Sequence, residues 1–216
     1  MIKYWKIDEG DRSMSNDFVK ILEVIHLGEK LKQELRHSWL SNGRQESVAE
    51  HTWRVAFMAV LLESILKDVV DFTKLLKMII IHDIAEVEAG DIPAFETINN
   101  MEEKKRKDER ELQAILKIKD KLGGVIGEDL LALWLEYEKR ESLEAKVANA
   151  LDKLEAQIQH NEADLSTWLD IEYDMIFQLQ KHVQSTKILQ ELKDLIEQEA
   201  IHKIESAGLN VNAYKK

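Results

Sequence analysis

The sequence contains no cysteine, a single proline and only eight glycines among its 216 residues. Without cysteine there is no disulfide framework, no zinc ribbon and no thiolate chemistry. Average usage near 5% would give about eleven prolines, so a single one points to long helices with few breaks. Scarce glycine agrees, because hairpin-rich β proteins place glycine in their tight turns. No apolar run approaches the roughly 20 residues that span a bilayer; the longest candidate, Val55 to Leu62, is far too short. Met1 to Met14 carries charges without an apolar core, so a secretory leader is not expected. Positive charge is in deficit, with 30 basic against 41 acidic side chains and a net charge of −11. That balance disfavours extended contact with nucleic acid or a membrane surface. It leaves room for a small anionic substrate if a metal or a few arginines reverse the field locally. A cytoplasmic, all-α protein is the expectation.

Apolar residues recur at helical spacing through most of the chain, and no sustained period-two stretch is found. A first helix is expected over Asn16–Glu34, with Phe18, Leu22, Ile25 and Leu31 on one apolar stripe, and a polar loop over Arg36–Gln45. Ser47-Val48-Ala49-Glu50 reads as a capping box that opens a helix through Leu66 and places His51 in its first turn. A third helix is expected over Lys74–Glu88, ended by Gly90 and Pro93. Further helices are expected over Asn100–Leu122, Asp129–Lys139, Leu143–Asn161, Leu165–Lys181 and Thr186–Ala207. With no repeat or linker, one domain is expected over 16–207, with an N-terminal arm at 1–15 and a tail at 208–216. The mixed-charge run Glu102–Arg110 reads as a solvated helix face with i,i+4 pairs.

The stretch Ile79-Ile80-Ile81-His82-Asp83-Ile84-Ala85-Glu86 carries the chemistry. On a helix, Glu86 shares a face with both His82 and Asp83, so an imidazole and two carboxylates meet where an apolar helix ends. Burying them without a countercharge is costly, and a divalent metal would remove that cost. His51, in the first turn of its helix, and Asp152, on the border of the Leu151/Leu154/Ile158 face, could join them. Two imidazoles and two carboxylates suit one divalent transition metal such as Mn, Co, Fe or Zn. Each residue also has a plain structural role open to it: a hydrogen-bonded His-Asp pair, a first-turn histidine, or an ion pair from Asp152 to Lys153 or Lys146.

The order His51, His82-Asp83, Asp152 resembles the signature of the HD-domain metal-dependent phosphohydrolases. The likeness is closer to the 5′-deoxynucleotidase branch, on Glu46-Ser47-Val48-Ala49-Glu50-His51, His82-Asp83-Ile84-Ala85-Glu86, Gly90-Asp91-Ile92-Pro93, Leu133–Glu138 and Glu144-Ala145-Lys146 before Leu151-Asp152-Lys153. Together these cover about residues 16 to 165. The resemblance implies a single HD-domain helical bundle with long helices, and His51, His82, Asp83 and Asp152 as metal ligands. It implies that Glu86 and Asp91 act on the nucleophilic water and the leaving group, and that Arg36 grips the substrate phosphate. The bacterial enzyme has a tryptophan directly after that arginine. Here His37 stands in that place and Trp39 follows, an Arg-x-x-Trp spacing shared with the eukaryotic relatives. His37 or Trp39 could stack on a base, and Arg44 is a further candidate for phosphate, with a salt bridge to Glu46 or Glu50 as its alternative.

The implied activity is hydrolysis of (deoxy)nucleoside 5′-monophosphates by a homodimer, with no nucleic-acid or membrane partner. Another HD activity, hydrolysis of an alarmone, is the enzymatic alternative, although that branch follows its HD pair with Glu-Asp and here Val87 follows Glu86. A non-catalytic metal-binding helical module is the alternative of a different class. It would have no use for Glu86, Asp91 or Arg36.

Overall fold

The computed structural model describes residues 9–98 and 100–215. Helix α1 (Glu9–Leu27) leads through a 3-10 turn (Gly28–Lys32) into strands β1 (Leu35–Trp39) and β2 (Gln45–Ser47). Helices α2 (Val48–Leu66), α3 (Phe72–Ile81), α4 (Glu86–Ala89), α5 (Ala94–Thr97), α6 (Met101–Leu122), α7 (Gly124–Lys139) and α8 (Leu143–Glu162) follow. After a short α9 (Asp170–Ile176), the chain closes with α10 (Lys187–Ser206) and a 3-10 turn (Val211–Ala213). This is the expected helical bundle. No helix among the described residues is long and apolar enough to cross a membrane.

Helix α8 is the axis of the fold. Its Val147, Ala150, Leu151 and Leu154 pack with Val55 and Ala59 of α2, Leu75, Met78 and Ile79 of α3, and Leu189 and Ile196 of α10. A second core forms where α6 and α7 meet α1 and α4, around Ile115, Ile118, Leu122, Trp134 and Val87. The capping box of α2 forms as read: the Ser47 hydroxyl accepts from the Glu50 amide, and Glu50 accepts from the Ser47 amide. This satisfies amides that a helix start leaves free and sets the first turn that carries His51.

Five expectations are corrected. First, α1 buries the other side of its cylinder: Ile21, Val24 and Leu27 meet the second core, while Phe18, Leu22 and Ile25 are 63%, 51% and 64% exposed. Periodicity selects a stripe, but the neighbour decides which one is covered. Second, α1 begins at Glu9, within the span read as an arm, and ends at Leu27; residues 1–8 lie outside the described residues. Third, the loop at 36–45 is an antiparallel hairpin pairing Leu35 with Ser47 and Trp39 with Gln45, with an irregular register between. Two strands this short and this polar leave no alternation to read.

Fourth, the helix expected over Lys74–Glu88 breaks after Ile81. In an unbroken helix the Glu86 amide would donate to the His82 carbonyl. Instead it donates to Asp83 at 3.0 Å, and the indole of Trp134 donates to the His82 carbonyl at 3.2 Å. Fifth, the helix expected over Leu165–Lys181 is two 3-10 turns flanking α9, because Trp168 and Leu169 are extended and the Trp168 indole is tied to the His160 carbonyl at 3.1 Å. The last residues also turn back: Val211 is buried and Tyr214 stacks on Tyr173 at 4.6 Å between centroids.

Candidate active site

The break after α3 forms the site. There the chain turns through residues 82–85, so His82 and Asp83 project together from the end of an apolar helix. The His82 Nδ1–H donates to the Ile79 carbonyl at 2.7 Å, which leaves Nε2 as a bare acceptor 3.0 Å from Asp83 Oδ2. From the start of α2, His51 brings Nε2 to 3.8 Å from Asp83 Oδ2 and to 3.1 Å from Asp152 Oδ1 on α8. One ligand atom from each of His51, His82 and Asp83 lies within 4.8 Å of the others. Segments far apart in sequence thus bring two imidazoles and one carboxylate together, with Asp152 joining them at His51.

The donor atoms at that point lack partners. His82 Nε2, Asp83 Oδ2 and Glu86 Oε2 are buried with no hydrogen bond, a state that costs free energy unless a further group binds them. A nitrogen and oxygen donor set of this kind, with no thiolate, fits a divalent first-row cation. Asp152 is held by Tyr137, whose hydroxyl donates to Oδ2 at 3.4 Å, and by Lys153 at 2.8 Å. The pairing of Asp152 with Lys153 therefore coexists with its place in the cluster.

Around the cluster lies a cavity of about 540 Å³, walled by Arg36, His37, Glu86, Asp91, Phe95 and Lys107 among others. Arg36 on β1 sets Nη1 3.6 Å from Asp83 Oδ2 and Nε 3.6 Å from Glu46 Oε2. Burial alone would make its guanidinium easier to deprotonate, but Asp83, Asp91, Asp152 and Glu155 outweigh this and raise its pKa. Burial, reinforced by Asp83 and Asp91, holds Glu86 well above the usual carboxylate range. Asp91 is raised mainly by burial. Its loop turns at Gly90, whose φ of +76° favours glycine, and its amide donates to Glu34 at 3.0 Å.

Eight of the ten residues singled out in the sequence therefore meet at or beside the cluster, and two stand apart. Arg44 is exposed and forks onto Glu50 at 2.7 and 3.1 Å, so its salt-bridge alternative is the one seen. Trp39 does not line the cavity; it packs edge-on against His37 at 4.6 Å and its carbonyl accepts from Gln159 at 2.6 Å. The cavity faces are His37 and Phe95, 4.9 Å apart. Sequence reasoning missed Glu155, whose carboxylate is in hydrogen-bond contact with His51 Nδ1, and Trp134 as the helix breaker. It also missed Lys107, which pairs with Glu111 one turn on along α6 at 3.4 Å where both line the cavity. The signal for Glu155 was its place one turn after Asp152 on a face otherwise apolar.

Comparison with known proteins agrees with this geometry. Residues 28–195 match the family described as HD domain. A protein of Dictyostelium discoideum named 5′-deoxynucleotidase HDDC2 is 34% identical over 147 residues, 64% of this chain and 74% of that protein. The Schizosaccharomyces pombe 5′-deoxynucleotidase hdd1 is 32% identical over 69% of this chain and 80% of its own length. Among solved structures, one titled as a predicted metal-dependent phosphohydrolase from Magnetospirillum magnetotacticum superposes with a TM-score of 0.76. It shares 26% identity and covers 94% of this chain and 99% of that one.

Proposed function

The chain belongs to the HD-domain family, and from that premise we propose that it is a divalent-metal-dependent hydrolase of deoxynucleoside 5′-monophosphates, releasing nucleoside and phosphate. The observation that carries this reading is that His82 Nε2 and Asp83 Oδ2, buried without a hydrogen bond, meet His51, which also reaches Asp152, beside a buried arginine. His51, His82, Asp83 and Asp152 would hold the metal, which belongs to the Mn, Co, Fe or Zn group. Such a cation, when bound, supplies Lewis acidity toward a phosphoryl oxygen and acidifies water.

The chain's own groups do the rest. Arg36 grips the phosphate with its planar fork, a contact lysine cannot reproduce. Glu86, buried beside Asp83, would take the proton that the attacking water loses as the new P–O bond forms. Burial and the neighbouring carboxylates raise its pKa in the metal-free chain, and the charge of a bound cation would lower it again. Asp91 gives a proton to the 5′-oxygen as its bond to phosphorus breaks; its burial favours the protonated carboxyl this step requires. Lys107 adds positive charge to the cavity wall. His37 and Phe95 offer aromatic edges and faces to the base.

A homodimer is part of the proposal. The outer face of α2 exposes Trp53, Phe57, Val60, Leu61 and Ile65, with Trp53 stacked on Phe57 at 5.5 Å. A contiguous apolar stripe of this kind is what an isologous interface covers. The test of function is phosphate release from a panel of deoxy- and ribonucleoside monophosphates with Mn²⁺, Co²⁺ or Mg²⁺, with His82→Ala as control. Release from the deoxy members by the wild-type chain only is the expected result. No release from any nucleotide, with stoichiometric metal bound, overturns the proposal.

A further inference from the structure

His51 has two ring nitrogens, and each meets a different environment. Nε2 faces Asp152 and Asp83 at 3.1 and 3.8 Å. Nδ1 points the other way, onto the Glu155 carboxylate. His51 and Glu155 are both 0% exposed. Glu155 follows Asp152 by three residues on α8, so one helix serves both edges of the imidazole. Behind it, Arg54, three residues after His51 on α2, places Nε 3.5 Å from the other Glu155 oxygen, which has no hydrogen bond of its own.

Resting on the reading of His51 as a metal ligand, we propose that Glu155 is the positioning residue of the centre. It accepts the Nδ1–H, selects the tautomer with a bare Nε2, and aims that nitrogen at His82, Asp83 and Asp152. A neutral imidazole carries one N–H, and in the other tautomer it would sit on Nε2 and block ligation. A carboxylate on the far nitrogen removes that choice and makes the ring a stronger donor. Arg54 supplies the countercharge without which a fully buried carboxylate would be costly.

Glu46, His51 and Glu155 also bring ligand atoms within 4.8 Å of one another, all buried. A second cation there would need His51 bound through both nitrogens, as an imidazolate. It would also sit beside Arg36 and Arg54, at 3.6 and 3.5 Å from these carboxylates, which already neutralise them. Orientation is the reading that the charges favour.

The test titrates Mn²⁺ into the metal-stripped full chain by calorimetry and reads the visible spectrum with Co²⁺. The wild-type chain should bind one ion. Glu155→Met, similar in volume and unable to accept the bond, should bind it about 10- to 100-fold more weakly with altered Co²⁺ bands. Glu155→Gln, which still accepts, should fall between. Wild-type affinity in Glu155→Met overturns the inference; if that variant does not fold, wild-type affinity in Glu155→Gln does so. Two ions per wild-type chain, one lost in Glu155→Gln, would make it a second metal site instead. A wild-type chain that binds no ion at all refutes the metal centre itself, which is a separate failure.

Discussion

Replacing Arg36 gives the most direct measure of the site. Its guanidinium lies 3.6 Å from both Asp83 and Glu46 and walls the cavity. Hydrogen bonds to charged groups contribute about 1.5–3 kcal/mol each. Losing a two-pronged grip on phosphate, partly offset by the remaining cations, should cost about 3 kcal/mol, or roughly 150-fold in kcat/KM. Because the phosphate is held before and during reaction, most of the loss should fall on KM. Arg36→Lys keeps the charge but not the fork, and should lose about tenfold. Arg36→Ala also leaves two carboxylates, Asp83 and Glu46, without their shared cation. At an effective dielectric of 20, a charge pair at this separation is worth at most about 5 kcal/mol, so Arg36→Ala should also lower the melting temperature. That loss should shrink on adding Mn²⁺, which takes over the charge of Asp83. The assay is steady-state phosphate release from a deoxynucleoside 5′-monophosphate, with thermal melts of the same variants. A KM within twofold of wild type in a folded, metal-loaded Arg36→Ala chain would show that Arg36 does not hold the phosphate.

Glu86→Gln should retain metal and substrate but lose at least about 100-fold in kcat; loss of bound metal by calorimetry would instead make Glu86 a ligand. Glu111 is raised from 4.5 to about 7, chiefly by burial. The folded chain therefore binds more protons than the unfolded one between those values, and stability falls as pH rises across that window. The drop attributable to Glu111 is at most about 3 kcal/mol. Denaturant titrations of Glu111→Gln at pH 5 and pH 7 should show a smaller difference than wild type, and an equal one would refute this. Trp53 and Leu61 are 64% and 63% exposed on α2; Trp53→Glu with Leu61→Glu should shift the mass by light scattering from dimer to monomer while the melting temperature barely moves. An unchanged mass would place the interface elsewhere.

Much of the site was legible because metal ligands are few in kind and need fixed spacing. The close spacing of His82, Asp83 and Glu86, a capping box that fixes His51, and an aspartate beside the Leu151/Leu154 face are local facts that survive folding, although the helix expected to carry the first three breaks after Ile81. The residues that hold those groups in place were less legible. Glu155 looks like any helix-face acid until α2 lays His51 across it, and Lys107, with its i,i+4 partner Glu111, looks solvated until the packing of α6 sets both in the cavity wall. Arg44 and Trp39 were candidates by position in a loop, yet their carboxylate and aromatic neighbours, Glu50 and His37, engage them first.

Composition and periodicity alone determined that the chain is helical, free of disulfides, and equipped with imidazole and carboxylate as its only metal donors. They could do so because helix formation and donor chemistry depend on residue type and short spacing. Only the tertiary structure decided where the helices stop and which faces are covered. Helix α3 ends because an indole 52 residues away takes a carbonyl its own chain would have used, and α1 turns Ile21 and Val24 inward because α6 lies on that side. Both are competitions between a local bond or stripe and a distant partner, and the distant partner exists only once the chain has folded.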